Sequence, residues 1–251
     1  MPLVKTSGII LKSRKWGEAD RIVTFYTKDL GKIRGVARGA RRMKSRFGAA
    51  LEPFTRCQLN LFEKPGDSLY RISHVDLLDS GQSLREELSL MACAARMVNV
   101  VAAVTPDGDP DARLFETLAQ GLGSLKESRD PLLTALLFQI RLLGLTGFRP
   151  QTDQCAACGK THLGEPQFSP SAGGFVCLSC SARQIRRCVA MSRGSLSFLQ
   201  QAIRLTPALV TRLKATGQVR AEVEEAIEGY VTVVAGRRLP PVDFLASTAP
   251  V

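Results

Sequence analysis

Four of the seven cysteines form two pairs, Cys155-Ala-Ala-Cys158 and Cys177-Leu-Ser-Cys180. The spacing between them falls in the roughly 15–20 residues that structural zinc sites use. A CxxC turn brings two thiolates onto one side, and two such turns complete a tetrahedron of four sulfurs around Zn2+. Four protein ligands leave no open position, so the expected ion is structural, one per chain. Gly159 and the Gly173-Gly174 pair let the backbone turn tightly beside the ligands. His162 lies between the pairs and is an alternative ligand, but four cysteines already fill the shell. Cys57, Cys93 and Cys188 have no CxxC partner and read as small buried hydrophobes.

The second constellation is electrostatic. From Gly31 to Gly48 the chain reads GKIRGVARGARRMKSRFG and carries Lys32, Arg34, Arg38, Arg41, Arg42, Lys44 and Arg46. No Asp or Glu occurs between Leu30 and Leu51. Uncompensated charge of this density attracts a polyanion, most often nucleic acid. The plainer alternative is a solvated loop that only keeps the protein soluble.

Enzymatic chemistry finds little support. Gly159-Lys160-Thr161 resembles the end of a P-loop, but the required upstream glycine is replaced by Gln154. HExxH, GxGxxG and GxSxG are absent. Glu86-Glu87 starts a helix, where negative charge complements the dipole. Asp107, Asp109 and Asp111 occupy a Pro/Gly turn without the full calcium-loop pattern.

The elements that must position these residues change character along the chain. Residues 3–12, Arg21–Thr27, Lys32–Ala37, Cys57–Glu63 and Ser68–Leu77 read as five short strands, with turns at Trp16-Gly17-Glu18, Asp29-Leu30-Gly31 and Lys64–Asp67. Five strands in 80 residues suggest a small closed barrel of the OB type, which binds oligonucleotides on one face. Trp16, Phe25, Tyr26 and Phe47 are candidate stacking residues. After residue 80 helical periodicity takes over. Ser83 and Glu86 suggest a capping box, Asp111–Leu125 reads as a helix, and Asp130-Pro131 is an N-cap followed by proline. The run LLTALLFQIRLLGL is apolar nearly all round and belongs at the centre of a helical domain. Further helices are expected over Ser195–Leu205, Ala208–Ala215 and Val219–Val234.

The fold class is therefore α+β and multidomain: an N-terminal OB-fold β-barrel (1–80), a C-terminal helical domain in two parts (81–150 and 182–240), an embedded four-cysteine zinc module (151–181) and a mobile tail (241–251). Charge supports the division. Residues 1–80 hold 16 Lys and Arg against 8 Asp and Glu, residues 181–251 hold 10 against 5, and the middle is nearly neutral. The formal net charge is +11. No signal-peptide pattern or apolar stretch of membrane-spanning length is visible. A cytoplasmic location follows, where reduced thiols bind metal rather than pair.

The stretch GIILKSRKWGEADRIVTFYTKDLGKIRGVARGARRMKSRFGAALEPF resembles the start of bacterial RecO, the recombination mediators of the RecF pathway. The matching features are Gly17-Glu18 with Asp20-Arg21, Thr27 with Gly31-Lys32-Ile33-Arg34, Ala37-Arg38-Gly39-Ala40, and Ser45-Arg46. A helical middle and a four-cysteine segment extend the resemblance to about residue 240. It implies a nucleoid-associated, non-catalytic protein that binds single- and double-stranded DNA, anneals complementary strands and helps load RecA onto DNA coated with single-strand-binding protein (SSB). RecR, RecF and the acidic C-terminal tail of SSB are the implied protein partners, the tail docking near Leu196, Phe198, Leu199 and Ile203. Two other readings stay open: a zinc-ribbon accessory subunit of a nucleic-acid enzyme, and an RNA-binding OB protein.

Overall fold

In a computed structural model, residues 3–63, 68–161, 164–183, 188–205 and 212–239 are described. Strands β1 (Leu3–Trp16), β2 (Asp20–Thr27), β3 (Gly31–Ala37), β4 (Arg56–Phe62) and β5 (Tyr70–Asp79) close into a barrel in the order β1-β2-β3-β5-β4. All pairings are antiparallel except β3–β5. This is the OB-like barrel expected from the five β-branched, alternating segments. The hairpin turn expected at Lys64–Asp67 lies outside the described residues.

Alternation decides what faces inward. Ile10, Val23, Phe25, Ile33, Leu59, Leu61 and Ile72 fill the barrel and are essentially inaccessible. A bulge between Ile10 and Lys12 keeps Leu11 buried and turns Lys12 outward. Beyond it, β1 runs four residues further than its apolar segment suggests. There it pairs only with β2, because its pairing with β4 stops at Ile9–Arg56. The end of β1 therefore has one edge that β4 leaves open, while β2 stays paired with β3 as far as Arg21–Ala37.

Three helices belong to the same compact unit, which continues to Arg129: α1 (Gln82–Glu86), α2 (Leu88–Val104) and α3 (Ala112–Glu127). The expected Ser83 cap is not used. Gly81, in the left-handed region, precedes α1 with no side-chain cap, and an added Cβ would sit 3.0 Å from the Phe54 carbonyl oxygen. Glu87 is extended and divides α1 from α2. Asp111 caps α3, accepting from the backbone N–H groups of Arg113 and Leu114.

The second unit starts at Asp130. Asp130 caps α4 (Pro131–Leu145), accepting from Leu133 N–H at 3.0 Å, with Pro131 at the first helical position. Nine residues of α4 are buried, as an all-round apolar helix requires. It packs against α6 (Arg193–Arg204) and α7 (Gly217–Val234). Arg220 of α7 reaches the Asp130 carboxylate with two bonds of 2.6 and 3.0 Å. Ser192 caps α6, and Glu222 of α7 accepts from Ser192 N–H and the Ser195 hydroxyl at 2.7 and 2.6 Å. Between α4 and α6 lie a three-stranded sheet, β6 (Gln167–Ser169), β7 (Gly174–Val176) and β8 (Val189–Ala190), and the short helix α5 (Leu178–Ser181). Of the helix expected over Ala208–Ala215, residues 208–211 lie outside the described residues, and residues 212–215 are a turn followed by irregular chain leading into α7, not a helix.

Candidate metal centre and nucleic-acid interface

The cysteine cluster is built by two backbone turns. Cys155 N–H donates to Lys160 O and Gly159 N–H returns to Cys155 O, with Gly159 at φ +75°. The second turn opens α5, where Cys180 and Ser181 N–H both donate to Cys177 O. The strand leading to Cys177 is held by Gln151, which exchanges bonds with Gly173 and Phe175. A Cβ on Gly174 would lie 2.4 Å from Gln151 O, so glycine is required there. Phe168 and Phe175 meet edge to face at 5.5 Å beneath the ribbon.

These turns bring the sulfurs of Cys155, Cys158, Cys177 and Cys180 within 4.8 Å of one another. Cys158 and Cys177 are 3.8 Å apart. Ligands about 2.3 Å from a tetrahedral ion stand about 3.8 Å apart, so the spacing suits a metal ion at the centre. The electrostatics agree. Burial acts to raise the Cys155 thiol, but N–H groups of Cys177, Ala157 and Cys158 outweigh it and bring it down to about 6. Hydrogen bonding to Cys177 and Cys158 pushes Cys180 up to about 12. A divalent cation bound among the four sulfurs would favour their thiolate forms. Cys57 and Cys93 are buried and Cys188 is half-buried, and none of the three belongs to the cluster. His162 lies outside the described residues.

The seven cations of the basic run do not share one environment. Arg38, Arg41, Arg42, Lys44 and Arg46 are exposed on the loop after β3. That loop is fastened to the β1–β2 hairpin. Arg41 N–H donates to Ala19 O, its guanidinium reaches Gly17 O and Glu18 O at 3.1 and 2.8 Å, and Gly39 N–H donates to the Asp20 carboxylate at 2.8 Å. Arg46 lies 4.9 Å over the Phe47 ring. Arg34 is exposed on β3, 3.8 Å from the Asp107 carboxylate.

Lys32 is different. Its side chain is 14% exposed, and its ammonium donates to Ala102 O and Thr105 O at 2.8 and 2.5 Å, with Asp107 at 3.2 Å. It ties β3 to the end of α2, so it belongs to the fold and not to the outward-facing charge. Nothing local in the sequence signals this, since its carbonyl partners are 70 and 73 positions away. Of the candidate stacking residues, Phe25, Tyr26 and Phe47 are buried in or against the barrel, while Trp16 is 54% exposed. In α6, Phe198 and Leu199 are core, and Leu196 and Ile203 are half-buried.

A five-stranded OB-like barrel with a cationic loop, followed by helices and a four-cysteine module, defines the class: a two-unit protein with an OB-like barrel and a cysteine ribbon that could hold a metal ion. Residues 1–80 match the family model described as Recombination protein O N terminal, and residues 85–241 match Recombination protein O C terminal. The chain is similar to a DNA repair protein RecO of Symbiobacterium thermophilum, 32% identical over 98% of this chain and 97% of the relative. It is 34% identical to that of Myxococcus xanthus over 95% of each chain. The chain belongs to the RecO family of recombination and DNA repair proteins. No helix among the described residues is long and apolar enough to cross a membrane.

Proposed function

We propose that the protein is a recombination mediator that binds single- and double-stranded DNA, anneals complementary strands and helps RecA replace SSB, working with RecR and RecF in the cytoplasm at the nucleoid. The observation that carries this is the loop of five exposed cations fastened to the barrel by Arg41 and Asp20. Complementary strands repel through their phosphates; a surface that neutralises part of that charge lowers the barrier to their meeting. Arg34, Arg38, Arg41, Arg42, Lys44 and Arg46 contact phosphate in this reading, and Lys32 supports the strand that presents them. No residue is assigned a catalytic role.

Residues 1–80 act as the nucleic-acid-binding domain, 81–150 and 182–240 as the two helical parts, 151–181 as the zinc module and 241–251 as a tail. One Zn2+ held by Cys155, Cys158, Cys177 and Cys180 stabilises the module; such sites contribute about 10–16 kcal/mol of folding free energy. In this reading the acidic SSB tail docks on the basic second unit, near Leu196 and Ile203, where its charge is complemented.

Strand annealing tests the reading. Purified protein, without nucleotide, is mixed with complementary oligonucleotides, bare and SSB-coated. Acceleration of both reactions is expected. No acceleration of either at low salt would overturn it, and equal or stronger activity on matched RNA would favour the RNA-binding alternative.

A further inference from the structure

The register of the barrel extends the cationic surface beyond the loop. Residues directly opposite each other in an antiparallel pair point to the same face. Lys12 stands opposite Thr24, and Thr24 opposite Arg34. Lys12 and Arg34 therefore project from the same outer face, two strand spacings or about 10 Å apart. Alternate residues of β1 share that face too. Lys12, Arg14 and Trp16 follow one another at intervals of about 7 Å along a strand edge that β4 does not cover. All three are exposed.

Trp16 ends this row at the point where the cationic loop is attached. The next two carbonyls, of Gly17 and Glu18, accept from Arg41. Across the strand, Asp20 is engaged with Gly39 N–H, so its carboxylate is drawn into the loop attachment. A large indole at the end of the β1–β2 hairpin, flanked by arginines, combines an apolar ring with positive charge. An unpaired base beside its phosphate offers the complementary pair of surfaces, because base–aromatic stacking tolerates any sequence while the cations hold the backbone.

We infer that Trp16 is a base-stacking residue, and that Lys12 and Arg14 continue the phosphate track from the loop along β1, which gives the barrel a preference for single strands over duplex. The inference rests on the nucleic-acid-binding reading above. Bases paired inside a duplex cannot lie on the indole, whereas duplex phosphates still reach the loop.

The chain contains a single tryptophan, so its fluorescence reports on this position alone. A dye-labelled oligothymidylate of about 25 nucleotides and a duplex of equal length are titrated into full-length protein, following dye anisotropy and tryptophan emission together. With the single strand, emission is expected to fall and to saturate with the anisotropy; with duplex it stays nearly constant. Trp16→Ala should weaken single-strand binding about 5- to 150-fold, the range for one lost stack, and change duplex binding less than twofold. Trp16→Phe should recover most of the loss. A strand that binds while emission stays unchanged overturns the inference, as does equal weakening of strand and duplex by Trp16→Ala. Failure to bind either nucleic acid overturns the functional reading itself, and the stacking role with it.

Discussion

Replacing Arg38, Arg42 and Lys44 together with alanine isolates the charge of the cationic loop from its architecture. These three side chains are exposed and hold none of the loop's described attachments. Arg41 and Arg46 stay, because one fastens the loop and the other covers Phe47. Each single-strand phosphate contact contributes about −0.7 to the slope of log K against log salt. Losing three should make the slope shallower by about 2. Referred to 1 M salt, that is a loss of about 100-fold in affinity at 0.1 M and about 10-fold at 0.3 M. The assay is anisotropy of a labelled single strand titrated at several salt concentrations, with thermal unfolding as a control for folding. Lys32→Met is the contrasting variant. It should leave the slope unchanged and destabilise the first unit by about 1–3 kcal/mol, since the carbonyls of Ala102 and Thr105 lose their donor. A triple variant whose slope shifts by less than about 0.5 would show that the loop does not lie on DNA. A Lys32→Met variant that flattens the slope without loss of stability would refute the division drawn between the two kinds of cation.

Elemental analysis should find one zinc per chain, and Cys155→Ser should lose it while single-strand binding persists; folded protein with four unmetallated thiols would contradict the assignment. Calorimetric titration with a peptide of the SSB tail should show micromolar binding at low salt that weakens as salt rises, and no heat at low salt would remove α6 as the docking region. Acid should weaken the attachment of α6 to α7. Burial acts to raise the Glu222 carboxyl, but Ser192 N–H and the Ser195 hydroxyl outweigh it and hold it below its ordinary value. Its contribution is therefore complete above the unfolded value of about 4.3 and is lost as pH falls through the folded one. Melting temperatures between pH 6 and 3 should fall less steeply in Glu222→Gln than in the parent. Gly31→Ala should destabilise more than Gly48→Ala, because both glycines have positive φ but only at Gly31 does a Cβ meet backbone, 2.3 Å from Asp109 O; circular dichroism melts compare them.

What could be read from the sequence was what local chemistry dictates. Alternation and β-branching placed five strands, Asp130-Pro131 marked a helix start, and cysteine spacing specified the cluster before any fold was in view. What escaped was set by distant contacts. The start of α1 depends on Gly81 lying against Phe54, so the Ser83–Glu86 pattern had no capping to do. No glycine or proline marks the break at Glu87, and the helical period runs through it. The last four residues of β1 are polar or aromatic without clean alternation, and only pairing with β2 makes them a strand. Trp16 was one of four aromatics with equal claims until burial removed the other three.

Among the described residues, the parallel seam between β3 and β5 consists of two residue pairs, Gly35–Tyr70 and Val36–Arg71. The rest of that edge is covered by the segment after α2. Lys32 pairs with Asp107 in a short bridge, Gly108 N–H donates to Lys32 O, and Asp111 N–H reaches the Tyr26 hydroxyl. All five strands have been synthesised once residue 79 is made, yet the groups that seal β3 arrive some thirty residues later. At about 5–20 residues per second, the nascent barrel waits roughly 2–6 s with part of an edge uncovered. Translation speed through α2 is thus a determinant of how long this chain is open to pairing with a neighbour.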